Sequence, residues 1–149
     1  MILTMKNIIL CGFMGSGKST IGKRLSQKLK LKFIDTDVLI EHKAKSTINK
    51  IITDNGENYF RQMEKEVIAN IDNDSDTVIA LGGGSVLDTE SVEKLQNIGE
   101  IYFLNASESA IRERLNADNT RPLLSKVSFN DRKAIYIKVS DHTIDADQD

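Results

Sequence analysis

The sequence predicts an α/β fold, a parallel sheet wrapped by helices. Two observations carry that prediction. Short apolar runs alternate with amphipathic, helix-length segments along the whole chain, the order that builds strand–helix–strand units. Between the first run and the first such segment lies Gly12-Phe13-Met14-Gly15-Ser16-Gly17-Lys18-Ser19, a complete G-x-x-x-x-G-K-S pattern. Chance would place such a match in a chain of this size on the order of 1% of the time. Its strand–loop–helix setting is the one a phosphate-binding loop requires.

The elements follow in order. Asn7–Cys11 reads as a short buried strand, and Ser19 to Lys30 as a helix whose Ile21, Leu25 and Leu29 form an apolar stripe toward the sheet. Lys32–Asp35 is a second strand. Asp37 to Lys43 is helical, with Val38, Leu39 and Ile40 expected to pack inward. Ile48, Ile51 and Ile52 mark a short helix that Asn55-Gly56 ends with a left-handed cap. Glu57 to Ile71 is a longer helix burying Phe60, Met63, Val67 and Ile71. Thr77–Leu81 is a third strand that runs into Gly82-Gly83-Gly84. Glu90 to Gln96 is helical, Glu100–Leu104 is a fourth strand, and Ser107 caps a helix reaching Leu115. Asn116 to Ser125 is a polar connection, expected to be mobile, that holds the single proline, Pro122. Phe129 to Val139 is a final helix and His142-Thr143-Ile144 a last strand.

Bulk properties exclude several classes. A chain of 149 residues is one domain able to bury a core, and 40% hydrophobic with 28% charged residues describes a soluble globular protein. A net charge of −2 argues against nucleic-acid binding driven by charge. No apolar run is long enough to cross a membrane, and no signal peptide is expected. The lone Cys11 permits no internal disulfide, which fits a cytoplasmic location, and it reads as buried filler rather than a nucleophile. Neither His42 nor His142 has metal-ligand spacing around it.

The chemistry starts at the loop. Its glycines let backbone N–H groups point at phosphate oxygens, and the following helix adds the positive end of its dipole. Gly15, Ser16, Gly17, Lys18, Ser19 and Thr20 form the expected ATP-binding set, with Lys18 reaching the β- and γ-phosphates and Ser19 ligating Mg²⁺. Asp35-Thr36-Asp37 ends the second strand, where a doubly wound sheet opens its ligand crevice. Asp35 suits Mg²⁺ through water. Asp37 suits a substrate hydroxyl, to orient or deprotonate it, unless its role is to cap the helix. The third strand ends without an acidic residue, which lowers the case for a motor ATPase. Its glycine triplet is either a close approach to a small molecule or a permissive turn. Arg61 offers a planar fork for a carboxylate, with Phe60 beside it to pack on an apolar ring face; alternatively Arg61 and Glu64 are a plain surface pair. Arg121, in the polar connection, can fold over ATP and neutralise charge on the transferred group, whereas Arg112 and Lys133 read as a solvated basic face.

Taken together, GFMGSGKST at 12–20, FIDTD at 33–37, GENYFRQMEKEVI at 56–68, ALGGG at 80–84, RPLL at 121–124 and Arg132 four residues before Tyr136 resemble the shikimate kinases over nearly the whole chain. The resemblance implies a three-layer P-loop fold of the nucleoside-monophosphate-kinase type. Its five-stranded parallel sheet is flanked by helices, with a substrate-binding region at about 37–65 and a lid at about 114–127 in a single domain spanning 1–149. It implies phosphoryl transfer from ATP to the 3-hydroxyl of shikimate, on the route to chorismate, by a monomer that uses Mg²⁺. Carried over by position, Lys18, Asp37 and Arg121 are catalytic. Asp37, Arg61, Gly82, Gly83, Gly84 and Arg132 hold shikimate, Asp35 assists the metal, and Arg114 lies near the adenine or phosphates.

The chain departs from the family pattern at Leu81, where a small or hydroxyl residue is usual, and at Ala134, where a proline is usual. The first is expected to alter the local Mg²⁺ water network and the second to loosen its helix. The chain also stops at Asp149 where the family continues into a further helix, so C-terminal support for the adenine-facing loop is expected to be missing. The rivals are a gluconate or nucleoside-monophosphate kinase, a nucleotide switch, and a nucleotide sensor without activity. The switch is disfavoured because Asn49-Lys50-Ile51-Ile52 lacks the Asp that reads guanine.

Overall fold

The computed structural model describes residues 7–13, 16–72, 76–117 and 129–146, apart from the side chains of residues 112 and 114–117. Among these residues it forms five strands and seven α-helices, with one or more helices between successive strands. They are β1 (Asn7–Cys11), α1 (Lys18–Leu29), β2 (Lys32–Asp35), α2 (Thr36–Ala44), α3 (Ile48–Asn55), α4 (Glu57–Ala69), β3 (Thr77–Ala80), α5 (Thr89–Ile98), β4 (Gly99–Asn105), α6 (Glu108–Ala117), α7 (Phe129–Val139) and β5 (His142–Asp145). The strands form one sheet in the order β2-β3-β1-β4-β5, every neighbouring pair parallel. Every strand anticipated from the apolar runs is present.

Period-2 alternation sorts the strand side chains into two layers. Ile9, Cys11, Ile79, Ile101 and Phe103 face a core closed by Ile68 of α4, Leu95 of α5 and Tyr136 of α7. Leu10, Val78 and Leu104 face the opposite side, where Leu25 of α1 and Phe33 pack. The middle strands are thus buried on both faces, as a parallel sheet requires, while β2 and β5 form the more exposed edges. A separate apolar cluster, Ile40, Ile48, Ile51, Phe60 and Val67, knits α2, α3 and α4 into a helical lobe at one end of the sheet.

Two expectations about helix faces fail. On α1 the buried positions are Lys18, Gly22 and Ser26, with Leu25 half-buried, while Ile21 and Leu29 are exposed. The helix lies too close to the sheet for large side chains. A Cβ at Gly22 would come within 2.6 Å of the Phe33 ring and 3.4 Å of Leu10. On α2 only Ile40 of the predicted trio is buried; Val38 is 57% exposed and Leu39 41%. Successive helical residues are about 100° apart, so three in a row cannot all face one neighbour. The inward face is Thr36, Asp37 and Ile40.

Other ends follow local chemistry. Thr47, Asp88 and Ser107 cap α3, α5 and α6 with side-chain oxygens that accept backbone N–H groups of Lys50, Ser91 and Ala110. Gly56 does end α3, but at φ 89° and ψ 164°, an extended positive-φ state rather than the left-handed helical cap expected; it also starts α4. At the amino ends of the strands, the buried Asn7 amide donates to Ile98 O at 2.9 Å and accepts from Thr77 N at 3.1 Å. The connection predicted at 116–125 lies outside the described residues from 118 onward.

Candidate active site

The carboxyl ends of β1, β2 and β3 lie side by side, so the three segments that follow them meet in space. The segment after β1 turns at Gly12, with φ 148°, where a Cβ would approach Leu104 O to 2.9 Å. Gly17, at φ 94°, caps α1 from the left-handed region, and the first turn of α1 carries no acidic side chain to offset its positive end. Lys18 Nζ donates to Gly12 O at 2.7 Å and Phe13 O at 2.8 Å, which holds the cation across the loop. Ser16 is buried, and its hydroxyl has no partner among the described residues. Thr20 is exposed on the first turn of α1, and Gly15 lies outside the described residues.

After β2, Asp35 rather than Asp37 caps α2. Its Oδ1 accepts from Asp37 N at 2.9 Å and Val38 N at 3.3 Å, while its Oδ2 accepts from Ser19 Oγ at 2.5 Å. This pairing puts the two predicted metal-binding side chains together. The cap also leaves Asp37 in the first turn of α2, its side chain turned into the buried space below the glycine triplet.

After β3, the glycines provide clearance. A Cβ at Gly82 would lie 2.7 Å from Asp37 Oδ1 and 3.0 Å from Glu64 Oε2, and one at Gly84 would lie 2.4 Å from Arg61 Nη1. Gly82 N donates to the buried Thr36 hydroxyl at 3.1 Å, which fixes the turn against α2. Gly82 and Gly84 are thus closely approached by the protein's own side chains, the first by Asp37 and Glu64 and the second by Arg61.

Arg61 is held on three sides. Its Nη1 pairs with Glu64 Oε1 at 2.9 Å, its Nη2 lies 3.6 Å from Glu57 Oε1, and its guanidinium sits 5.1 Å from the Phe60 ring centre. The pair with Glu64 is no plain surface contact, because Glu64 is buried and its second oxygen accepts from Ser85 Oγ at 3.0 Å. Burial pushes the Glu64 carboxyl up from its ordinary value, Arg61 and Ser85 oppose that, and neighbouring Asp37 adds to it. Phe60 does not offer a face to a ligand, since it is a core residue of the helical lobe.

Arg132 of α7 is half-buried, and its buried Nε has no partner among the described residues. One turn later, Tyr136 donates its hydroxyl to Gly83 O. Both Arg132 and Arg61 lie close enough to that phenol to act on its charge. The predicted arginines thus converge beside the glycine triplet, although they come from helices far apart in the chain. Arg112 and Arg114 belong to α6, with side chains outside the described set, and Arg121 lies outside the described residues altogether. Cys11 is buried filler as expected; burial raises its thiol to about 11, so it is no nucleophile. Glu64, Ser85 and Tyr136 received no role from the motifs alone. The signal available for Glu64 was its position one turn beyond Arg61.

The description "Shikimate kinase" is that of the family whose pattern matches residues 14–149. This chain belongs to the shikimate kinase family. A shikimate kinase of Caldicellulosiruptor saccharolyticus is 51% identical over 120 residues, covering 80% of this chain and 70% of its own. One from a Sulfurihydrogenibium species is 40% identical, covering 97% and 90%. Among solved structures, the shikimate kinase from Acinetobacter baumannii in complex with shikimate superposes with a TM-score of 0.88 at 32% identity, covering 95% of this chain and 84% of that one. Leu81 is a core residue whose N–H donates to Leu10 O at 3.0 Å. Ala134 lies midway along α7, which is unbroken; alanine supplies the backbone donor that proline lacks.

Proposed function

We propose that this chain binds ATP and shikimate in one cleft and moves the γ-phosphoryl group to the 3-hydroxyl, giving shikimate 3-phosphate and ADP on the way to chorismate and the aromatic amino acids. The observation that carries the reading is the meeting of the phosphate loop, the Asp37 carboxylate and the Arg61 and Arg132 guanidiniums at adjoining strand ends.

In this reading each half of the site does separate work. Loop amides at 15–17, the α1 terminus and Lys18 bind and neutralise the phosphates, with Ser16 and Thr20 beside them. Arg61 and Arg132 neutralise the carboxylate of shikimate. Asp37 accepts a hydrogen bond from the 3-hydroxyl and takes its proton as the bond to phosphorus forms. Gly82, Gly83 and Gly84 admit the ring hydroxyls against the backbone. Ser19, and Asp35 through water, would hold Mg²⁺ with their hard oxygens. That ion supplies charge neutralisation at the phosphates when bound. On the resemblance, Arg121 and Arg114 meet ATP from 114–127, and the acceptor region is 37–65. Among the described residues no helix is long and apolar enough to cross a membrane, and the reading includes a cytoplasmic monomer.

The test is ADP release with ATP and Mg²⁺, measured with shikimate, gluconate, AMP or no acceptor. Release that depends on shikimate is expected. A preference for gluconate or AMP, or nucleotide binding with no release for any acceptor, overturns the assignment.

A further inference from the structure

Four aromatic rings join parts of the molecule that are distant in sequence. Phe13 of the phosphate loop stacks on Phe129, at the start of α7, with ring centres 4.1 Å apart and planes 5° from parallel. Tyr136 meets Phe13 edge-on at 4.9 Å and stacks on Phe103 of β4 at 5.1 Å. The Tyr136 side chain is fully buried in this cluster, so its ring has no freedom to turn. What the ring carries outward is one hydroxyl, and that hydroxyl sits at the junction of two groups assigned to the acceptor.

We propose that Tyr136 is a positioning residue for shikimate, its hydroxyl fixing at once the carbonyl of Gly83 and the guanidinium of Arg132. This rests on the functional reading of Gly83 and Arg132 given above. The contact to Gly83 O is direct. Arg132 precedes Tyr136 by four residues on α7, which puts both on one face of the helix, and its guanidinium lies near enough to act on the charge of the phenol. The Arg132 Nε remains without a partner among the described residues, which leaves that donor of the guanidinium for a ligand. Burial raises the phenol well above its ordinary value, so the proton stays on the oxygen throughout the working pH range. The hydroxyl therefore remains a donor to Gly83 and, on this proposal, an acceptor for Arg132. A rigid aromatic cluster thus sets the spacing between the backbone that reads ring hydroxyls and the cation that reads the carboxylate.

The experiment is calorimetric binding of shikimate, its methyl ester and ATP to wild type and Tyr136→Phe, alongside steady-state kinetics and thermal melting. Phenylalanine keeps the ring cluster and removes only the oxygen. Shikimate should bind about tenfold more weakly, the loss expected for freeing a group that pairs with a charge. The ester should lose distinctly less, since it offers Arg132 no carboxylate, and ATP affinity should stay within about twofold. Phe129→Leu, which trims the same cluster without touching the hydroxyl, should lower the melting temperature yet preserve the acid-to-ester ratio. Should the Tyr136→Phe variant fail to fold, fluorotyrosine at that position keeps the ring and weakens the oxygen as an acceptor, and it gives the same comparison. Unchanged shikimate affinity, equal losses for acid and ester, or a parallel loss of ATP would each overturn the proposal. Wild-type protein that binds ATP but not shikimate would instead defeat the functional reading on which it stands.

Discussion

The two halves of the site are built in opposite ways. On the proposed reading, the phosphate half is contiguous in sequence, residues 12–20, and its described parts are mostly main chain: the turn at Gly12, the Gly17 cap, the α1 terminus and the carbonyls that hold Lys18. The proposed acceptor half is assembled from side chains on α2, α4 and α7 around a turn after β3, and none of its parts has meaning alone. Backbone cradles recognise a group common to many ligands, while side-chain assemblies recognise one ligand. The first kind tolerates sequence change around it. The second depends on every helix keeping its place.

Substitutions should separate the halves. Lys18→Met is expected to reduce turnover most, by roughly a thousandfold, because it removes the cation facing the charge that builds on the phosphates. Calorimetry should show shikimate affinity almost unchanged, and a large loss there would mean the halves are not independent. Asp37→Asn should cost roughly a hundredfold in kcat with ATP affinity preserved, the effect of losing a general base. Full turnover in that variant would remove its assigned role.

Arg61→Ala should raise KM for shikimate about tenfold and leave KM for ATP alone. Gly84→Ala tests the same guanidinium from the other side. Its added methyl meets the movable end of Arg61, so we expect a rise of about threefold in KM for shikimate with little loss of stability. If Gly84→Ala left shikimate binding untouched, the clearance argument for the triplet would fail.

The smallest effect expected concerns pH. The Glu64 carboxyl is raised in the folded state, so the folded protein holds a proton on it that the unfolded chain has released. Its contribution to stability is complete below the ordinary value of 4.5 and is lost as pH rises through the raised value. Glu64→Gln abolishes that titration. The melting temperature of the variant relative to wild type should therefore climb as pH rises through this window, and a flat difference would contradict the direction of the shift.

Legibility from sequence followed the same division. The phosphate loop and all five strands were readable because each is a local pattern of spacing or apolar length. Helix faces were read less well. Ile21 and Leu29 looked like a sheet-facing stripe, but the close approach of α1 selected Gly22 and Ser26 instead, and spacing cannot reveal how near a helix will lie. Val38 and Leu39 were over-assigned to the core because hydrophobicity was weighed above the helical period. In the acceptor half, Asp37, Arg61 and Arg132 were picked out by residue type and resemblance. Glu64 looked like half of a surface pair because nothing in an i, i+3 spacing discloses burial. Tyr136 belongs to a motif that gives its ring no role by itself; its contact with the turn after β3 is visible only in the fold.

The Asn7 amide has a consequence far from its location. At the foot of the sheet it joins β1 to the first residue of β3 and to the residue that precedes β4. It works as an indexing pin. A slip of one residue along either neighbour would displace the far strand tips by about 3.3 Å and turn each side chain to the other face. On the proposed reading, the gap that separates donor from acceptor is therefore gauged at the opposite end of the sheet from the site.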